Sequence, residues 1–306
     1  MPTFKRTKII PSAKATEKLT PEKIYWIRLK REAVLRGFGH IGCIDFSPTE
    51  SHQFAATRSA KVEIYDGDKC ELLSTVSKFK AAAYGGVYRN DGKLLAAGSE
   101  DGRLKVFNVQ QASHSALRSY KAHQSGVRAC RFTSDGRSVV SFGDDKDVKL
   151  WELGASASDE PVRLFSGHTD HVRSGVVAWH TPNAIVSGSY DHTACWWDTR
   201  QENSVFSVNH ESPVEAVLLL PSDVLLLTAG GTTVKVWDVR VGPRRKLAQL
   251  SQHRKTVTDM KLATTNQRLL TASLDKQVKV FNLKSFDLVH TLKYPGPVLS
   301  ISCSHR

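Results

Sequence analysis

Four side chains recur along this chain at nearly constant spacing: a His, a hydroxyl residue 18 or 19 positions on, an Asp four further and an aromatic six beyond that. The sets are His123, Ser141, Asp145 and Trp151; His168, Ser187, Asp191 and Trp197; and His253, Thr271 and Asp275, with Phe281 in place of the indole. A Ser, a His and an Asp gathered in space are the parts of a nucleophilic triad, in which the imidazole takes the hydroxyl proton beside an oxyanion hole. A triad occurs once in a protein, whereas this set returns segment after segment. Repetition assigns it to the fold, as polar groups buried together and hydrogen-bonded to one another, and no catalytic residue is expected. His168-Thr-Asp-His171 brings two imidazoles close in sequence, but no Cys or carboxylate set at ligand spacing accompanies them, so no metal site is expected. No Gly-rich phosphate loop or cofactor fingerprint is present; neither an enzyme, a cofactor nor a small-molecule substrate is expected.

The elements that must position these side chains are marked by their endings. Six short runs of β-formers close on an aromatic and an acid or Asn: Tyr65-Asp66, Phe107-Asn108, Trp151-Glu152, Trp197-Asp198, Trp237-Asp238 and Phe281-Asn282, in steps of 42, 44, 46, 40 and 44. That is the period of a WD-type β-propeller blade, so an all-β WD-repeat β-propeller is expected. Period-two alternation broken by turn residues supports it. In one repeat, Val127-Arg-Ala-Cys-Arg-Phe132 reads as strand a, Ser134-Asp-Gly136 as a turn, Ser138-Val-Val-Ser141 as strand b, Val148-Lys-Leu-Trp151 as strand c and Val162-Arg-Leu-Phe165 as strand d. A fifth repeat keeps His210 and Trp237 but has Gly231 where Asp belongs, and a second has Phe79 at the His position; both are expected to be held mainly by packing. The expected design is seven-bladed with an incomplete seventh blade. Residues 297–303 read as its strand a, and residues 24–30 or 33–36 as the strand that closes the ring. Residues 1–23 read as a basic, flexible arm and 24–306 as the propeller, in a chain that reads as a shortened form of a longer protein.

Charge points to the class of partner. Lys and Arg number 43 against 30 Asp and Glu, a formal +13, and residues 1–36 hold ten bases and three acids, or +7 of the excess. Concentrated positive charge attracts phosphates, because each one neutralised releases condensed counterions. The candidate RNA-binding residues are Lys5, Arg6, Lys8, Lys14, Lys18, Lys23, Arg28, Lys30, Arg31 and Arg36, with a second cluster at Arg240, Arg244, Arg245 and Lys246 and a third pair at Arg254 and Lys255. Rings for base stacking are sparse beside them (Phe4, Tyr25, Trp26), so contact with the phosphate backbone is the expected mode. The five cysteines are scattered and lack C-x-x-C spacing, as expected of small apolar residues in a reducing compartment. No membrane association is expected, since no run approaches a membrane span.

Several stretches are more individual than the repeat. Glu22-Lys-Ile-Tyr-Trp26, Phe38-Gly-His-Ile-Gly-Cys-Ile-Asp-Phe-Ser-Pro48, Gly188-Ser-Tyr-Asp-His-Thr193, Pro213-Val-Glu-Ala-Val-Leu-Leu-Leu-Pro221 and His253-Arg-Lys-Thr-Val-Thr258 stand in order. Together they resemble the UTP-fifteen family, WD-repeat proteins associated with small nucleolar RNA. The resemblance covers nearly the whole chain. It implies a non-enzymatic nucleolar scaffold in ribosome biogenesis, acting in early pre-ribosomal RNA processing and linked to ribosomal DNA transcription. The partners it implies are UTP-A subcomplex and small-subunit processome proteins, with the 5′ external spacer of pre-ribosomal RNA as a candidate. It also implies a helical region after the propeller, which this chain does not reach. A rival reading comes from Trp197-Asp-Thr-Arg200 and Trp237-Asp-Val-Arg240, which match the W-D-x-R pattern of receptors that dock on a cullin-RING ubiquitin ligase adaptor through Arg200 and Arg240.

Overall fold

The computed structural model describes residues 21–29, 34–37, 39–49, 53–76, 79–110, 115–154, 160–240, 245–263 and 267–304. The chain divides into two units, Met1–Val34 and Leu35–Arg306.

In the first unit Pro21–Arg28 is an α-helix. Residues 24–30 are the sequence's candidate for a ring-closing strand; residues 24–28 of it are helical instead, and Lys30 lies outside the described residues. Pro21 presets the helical φ at the first position, and a helix satisfies its backbone groups within the segment, whereas a strand needs a neighbour. Tyr25 and Trp26 meet edge to face at 5.1 Å.

The second unit contains, among the described residues, six antiparallel four-stranded sheets, each built from four strands consecutive in sequence. Strands a are Ile41–Phe46, Ala83–Tyr88, Val127–Phe132, Val172–Val177, Val214–Leu219 and Val257–Leu262. They lie side by side in sequence order at the inside of the propeller. Strands c are Lys61–Asp66, Arg103–Asn108, Val148–Glu152, Thr193–Asp198, Thr233–Asp238 and Gln277–Asn282, each closing on the acid or Asn that marks the repeat. Strand b is buried along almost its whole length, as in Ala184–Ser189, whereas strand d turns apolar residues such as Leu72, Leu164 and Val205 outwards. The core therefore lies between sheets. Phe142, Val148, Leu150 and Phe165 of the third sheet pack with Val172, Val177, Ile185 and Trp197 of the fourth. Gly136 turns strand a into strand b at φ 67°, a left-handed conformation that glycine adopts without steric cost.

Six sheets correct the expected seven-bladed design with its incomplete seventh blade. Residues 297–303 form no strand, because a strand exists only by pairing and no strand pairs with them among the described residues. Residues 34–36 are in no strand either. The segment is nonetheless ordered by side chains on both flanks. The amide of Ile301 donates to Asp259 Oδ2 of the sixth sheet at 2.9 Å. The Ser300 hydroxyl donates to the same oxygen at 3.0 Å and accepts from the amide of Ile44 in the first sheet at 3.2 Å. The same kind of bond, strand-a side chain to the next inner amide, links Ser174 to Val217 at 3.1 Å.

Candidate functional site

The recurring polar sets lie inside single sheets, with the His in the d-to-a connection, the hydroxyl on strand b and the Asp in the b-to-c turn. In the third sheet His123 Nδ1 meets Asp145 Oδ1 at 2.6 Å and Nε2 meets Ser141 Oγ at 2.7 Å, while Trp151 Nε1 donates to that hydroxyl at 2.9 Å. In the fourth, His168 reaches Asp191 and Ser187 at 2.7 Å each, and Trp197 donates to Ser187 at 2.7 Å. In the sixth, His253 meets Asp275 at 2.9 Å and Thr271 at 2.7 Å. Ser141 and Ser187 are wholly buried, and each already accepts an indole N–H. No substrate carbonyl can approach either hydroxyl, so the arrangement orders the sheet instead.

The fifth sheet holds a polar set of its own beside its packing. His210 Nδ1 meets Thr228 Oγ1 at 2.7 Å, Trp237 Nε1 donates to the same oxygen at 2.9 Å, and His210 Nε2 meets the Gly230 carbonyl at 3.2 Å. A backbone carbonyl thus occupies the role of the missing carboxylate. Thr228 falls 18 residues after His210, the spacing that could have revealed it. In the second sheet Phe79 replaces the His and packs edge to face on Phe107 at 5.7 Å.

His168 and His210 titrate in opposite directions. Burial disfavours a charged His168, but its contact with Asp191, aided by Cys195, outweighs that cost and raises it to about 9. Burial pulls His210 down to about 4, against the Gly230 carbonyl and with Lys235 nearby. His210 is neutral in the fold while the unfolded imidazole takes a proton near 6.5. Its stabilising contribution is therefore present above pH 6.5 and is lost as pH falls towards 4, by up to about 1.4 kcal/mol per pH unit. The contribution of His168 is complete below 6.5 and lost as pH rises through 9. Denaturant unfolding across pH 4 to 9 should show His210→Gln flattening the acid limb and His168→Gln the alkaline one. A His210→Gln profile parallel to the wild type would refute the neutral assignment.

A second constellation escaped the sequence reading. The second residues of four consecutive strands a are Tyr84, Arg128, Arg173 and Glu215. Arg128 lies 4.4 Å over the Tyr84 ring and donates through Nε to Asp144 Oδ2 at 2.6 Å. Arg173 lies 4.7 Å over Tyr190 and 3.6 Å from Asp144 Oδ1, and the Tyr190 hydroxyl donates to Glu215 at 2.7 Å. Burial, with Glu215 beside it, pushes Tyr190 up to about 12. This chain of rings and charges ties the second to fifth sheets together at their inner rim. The signal available for it was a charged residue directly after the first Val of three strands a.

The basic residues fall on different surfaces. Lys5, Arg6, Lys8, Lys14, Lys18, Lys30, Arg31 and Arg244 lie outside the described residues; Lys23 is in the helix of the first unit, and Arg28 ends that helix, exposed. Arg36 is exposed in the second unit. Arg240, Arg245 and Lys246 are exposed where strand c passes to strand d, whereas Arg254 and Lys255 are exposed at the far end of the intervening strand, Lys246–Leu250. Five residues of strand span roughly 16 Å, so the two groups occupy opposite faces. Arg200 and Arg240 fold back on the acids of their own motifs: Arg200 Nη2 donates to Asp198 at 2.6 Å and Arg240 Nη2 to Asp238 at 3.2 Å. Among the described residues no group of three or more His, Cys, Asp or Glu is placed to hold a metal ion, and no helix is long and apolar enough to cross a membrane.

Comparison with known proteins adds relatives to this geometry. The pattern described as WD domain, G-beta repeat matches residues 81–108, 114–152, 159–198, 202–238 and 244–282. The chain is 39% identical over 302 residues to the U3 small nucleolar RNA-associated protein 15 homolog of Xenopus laevis, covering 99% of this chain and 58% of that protein. It is 40% identical over 290 residues to the human homolog, 95% of this chain and 55% of that one. To U3 small nucleolar RNA-associated protein 15 of Schizosaccharomyces pombe it is 36% identical over 288 residues, 94% and 57%. The chain spans a little over half the length of the curated relatives it matches.

Proposed function

The chain belongs to the WD domain, G-beta repeat family, and from that premise we propose that it is a non-enzymatic scaffold in ribosome biogenesis, working in the nucleolus with U3 small nucleolar ribonucleoprotein. The observation that carries this reading is identity of 36–40% across nearly the whole chain to proteins named for association with U3 small nucleolar RNA. A rigid ring of sheets with several faces suits a part that holds partners in fixed relative positions. Within that role we place it in early pre-ribosomal RNA processing among UTP-A and other small-subunit processome proteins, with a link to ribosomal DNA transcription. Contact with the 5′ external spacer would run through the basic arm and through Arg240, Arg244, Arg245 and Lys246. Arg254 and Lys255 would serve a partner on the other face.

Crosslinking of the tagged protein in cells, with RNA and protein sequenced together, tests the role. Pre-ribosomal spacer RNA and processome subunits are the expected catch, and the absence of both would overturn it. Direct phosphate contact is tested separately by titrating purified protein with spacer RNA at several salt concentrations. Replacing Arg245 and Lys246 by Ala should flatten the plot of log affinity against log salt by roughly 0.7 per lost contact, about 1.4 in all. An unchanged slope would remove these two residues from the interface.

A further inference from the structure

Trp179 is 54% exposed, far outside the usual place of an indole in a sheet protein. It sits in the turn between strand a, Val172–Val177, and strand b, Ala184–Ser189, of the fourth sheet. That turn is held firmly from the next sheet. The amides of Trp179, His180 and Thr181 all donate to the carboxylate of Asp223, at 3.0, 2.6 and 2.9 Å. Three consecutive N–H groups on one carboxylate fix the backbone beneath the indole, so a ligand landing on the ring pays little to order it.

The surroundings of the ring identify what it receives. On one side the amide of Thr199 donates to the Asn183 carbonyl at 2.8 Å, which brings Arg200 beside the turn. On the other, Val224, next to Asp223, accepts from the amide of Val239 at 3.0 Å, which brings Arg240 beside it. The guanidinium side chains of Arg200 and Arg240 are 72% and 66% exposed. Each binds its own Asp through Nε and Nη2, so the other edge of each fork faces outwards. Exposed Arg245 and Lys246 continue the positive surface. His180 and Thr181 follow the indole in its own turn, and Arg200 and Arg240 each follow a residue whose amide bonds the a-to-b turn of the fourth or the fifth sheet. A flat aromatic among cations is the combination that binds single-stranded nucleic acid, the ring stacking on a base and the cations meeting phosphates. Trp and Arg are also the types enriched where protein partners anchor, so the test below separates that outcome.

We propose that Trp179 is a base-stacking platform for single-stranded RNA, with Arg240, Arg245 and Lys246 taking the adjoining phosphates; this rests on the ribonucleoprotein role above and names its contact. The test uses the whole chain with a fluorescent twelve-nucleotide oligouridylate and, beside it, an RNA duplex of the same length. The wild type should prefer the single strand. Trp179→Ala should weaken single-strand binding about tenfold or more, the range for one base stacked on an aromatic, with the salt slope unchanged because no phosphate contact is lost. Trp179→Phe should keep most of the affinity. Tight binding of the single strand by Trp179→Ala would overturn the platform while leaving the scaffold role intact. Loss of processome proteins from a Trp179→Ala pull-down with RNA affinity unaltered would make the indole a protein anchor and likewise overturn it. No oligouridylate binding by the wild type would also overturn it, whereas the scaffold role stands or falls on the RNA and proteins recovered from cells.

Discussion

Trp197→Ala is expected to lower the unfolding free energy by about 3–5 kcal/mol, the cost of emptying a buried aromatic site, whereas Trp197→Phe should lose only about 1–3 kcal/mol. The indole is 1% exposed, packs on Phe165 at 5.8 Å and His168 at 6.0 Å, and donates to Ser187. Alanine removes the volume and the hydrogen bond together. Phenylalanine removes the donor but keeps most of the ring volume, and the protein already shows such a site: in the sixth sheet Phe281, also 1% exposed, fills the position, and the Thr271 hydroxyl turns towards the Lys279 carbonyl at 3.5 Å. Denaturant midpoints at constant slope would measure both losses. Equal losses for the two variants would mean that the N–H, not the ring, holds the sheet.

Gly175→Ala tests the joint between sheets. A Cβ at Gly175 would come within 2.0 Å of the Phe142 ring, which is wholly buried between the third and fourth sheets. The ring has no free direction in which to move, so overpacking should cost about 1–3 kcal/mol or more. Shortening the ring should relieve it. The double variant Gly175→Ala, Phe142→Leu should be less destabilised than the two single losses added together, by a coupling of about 0.5–3 kcal/mol. Simple additivity in thermal melts would show that the clash is absorbed elsewhere.

What was legible in the sequence was what repeats. Strand c is buried on both faces and ends at a turn, so Trp197-Asp198 and Phe281-Asn282 mark strand ends without any knowledge of neighbours. The polar sets were legible for the same reason, since the spacing from His123 to Ser141 to Asp145 is fixed by strand and turn lengths within one sheet. Features that depend on contacts between repeats were hidden. The alignment of Arg128 and Arg173 about Asp144 exists only once strands a stand side by side. Nothing in the repeat marks Trp179, whose turn is held from the next sheet by Asp223. Residues 24–30 are rich in β-formers, but what such a segment becomes depends on whether an edge is there to receive it. Residues 297–303 have a strand's composition and lack its partner. The clusters around Arg240 and Arg254, fourteen positions apart, are divided by the direction of one short strand.

Ser300 gives the molecule a preferred line of failure. Among the described residues, the six strands a stand next to one another in sequence order, whereas the sixth sheet reaches the first through a hydroxyl shared by Asp259 and Ile44. A hoop fastened at one place opens there first. For this stretch of chain, strain spread evenly round the circle is expected to be released first at that clasp, leaving a crescent of five consecutive joints intact, and whatever grips both rims of the clasp would stiffen the whole circumference at once.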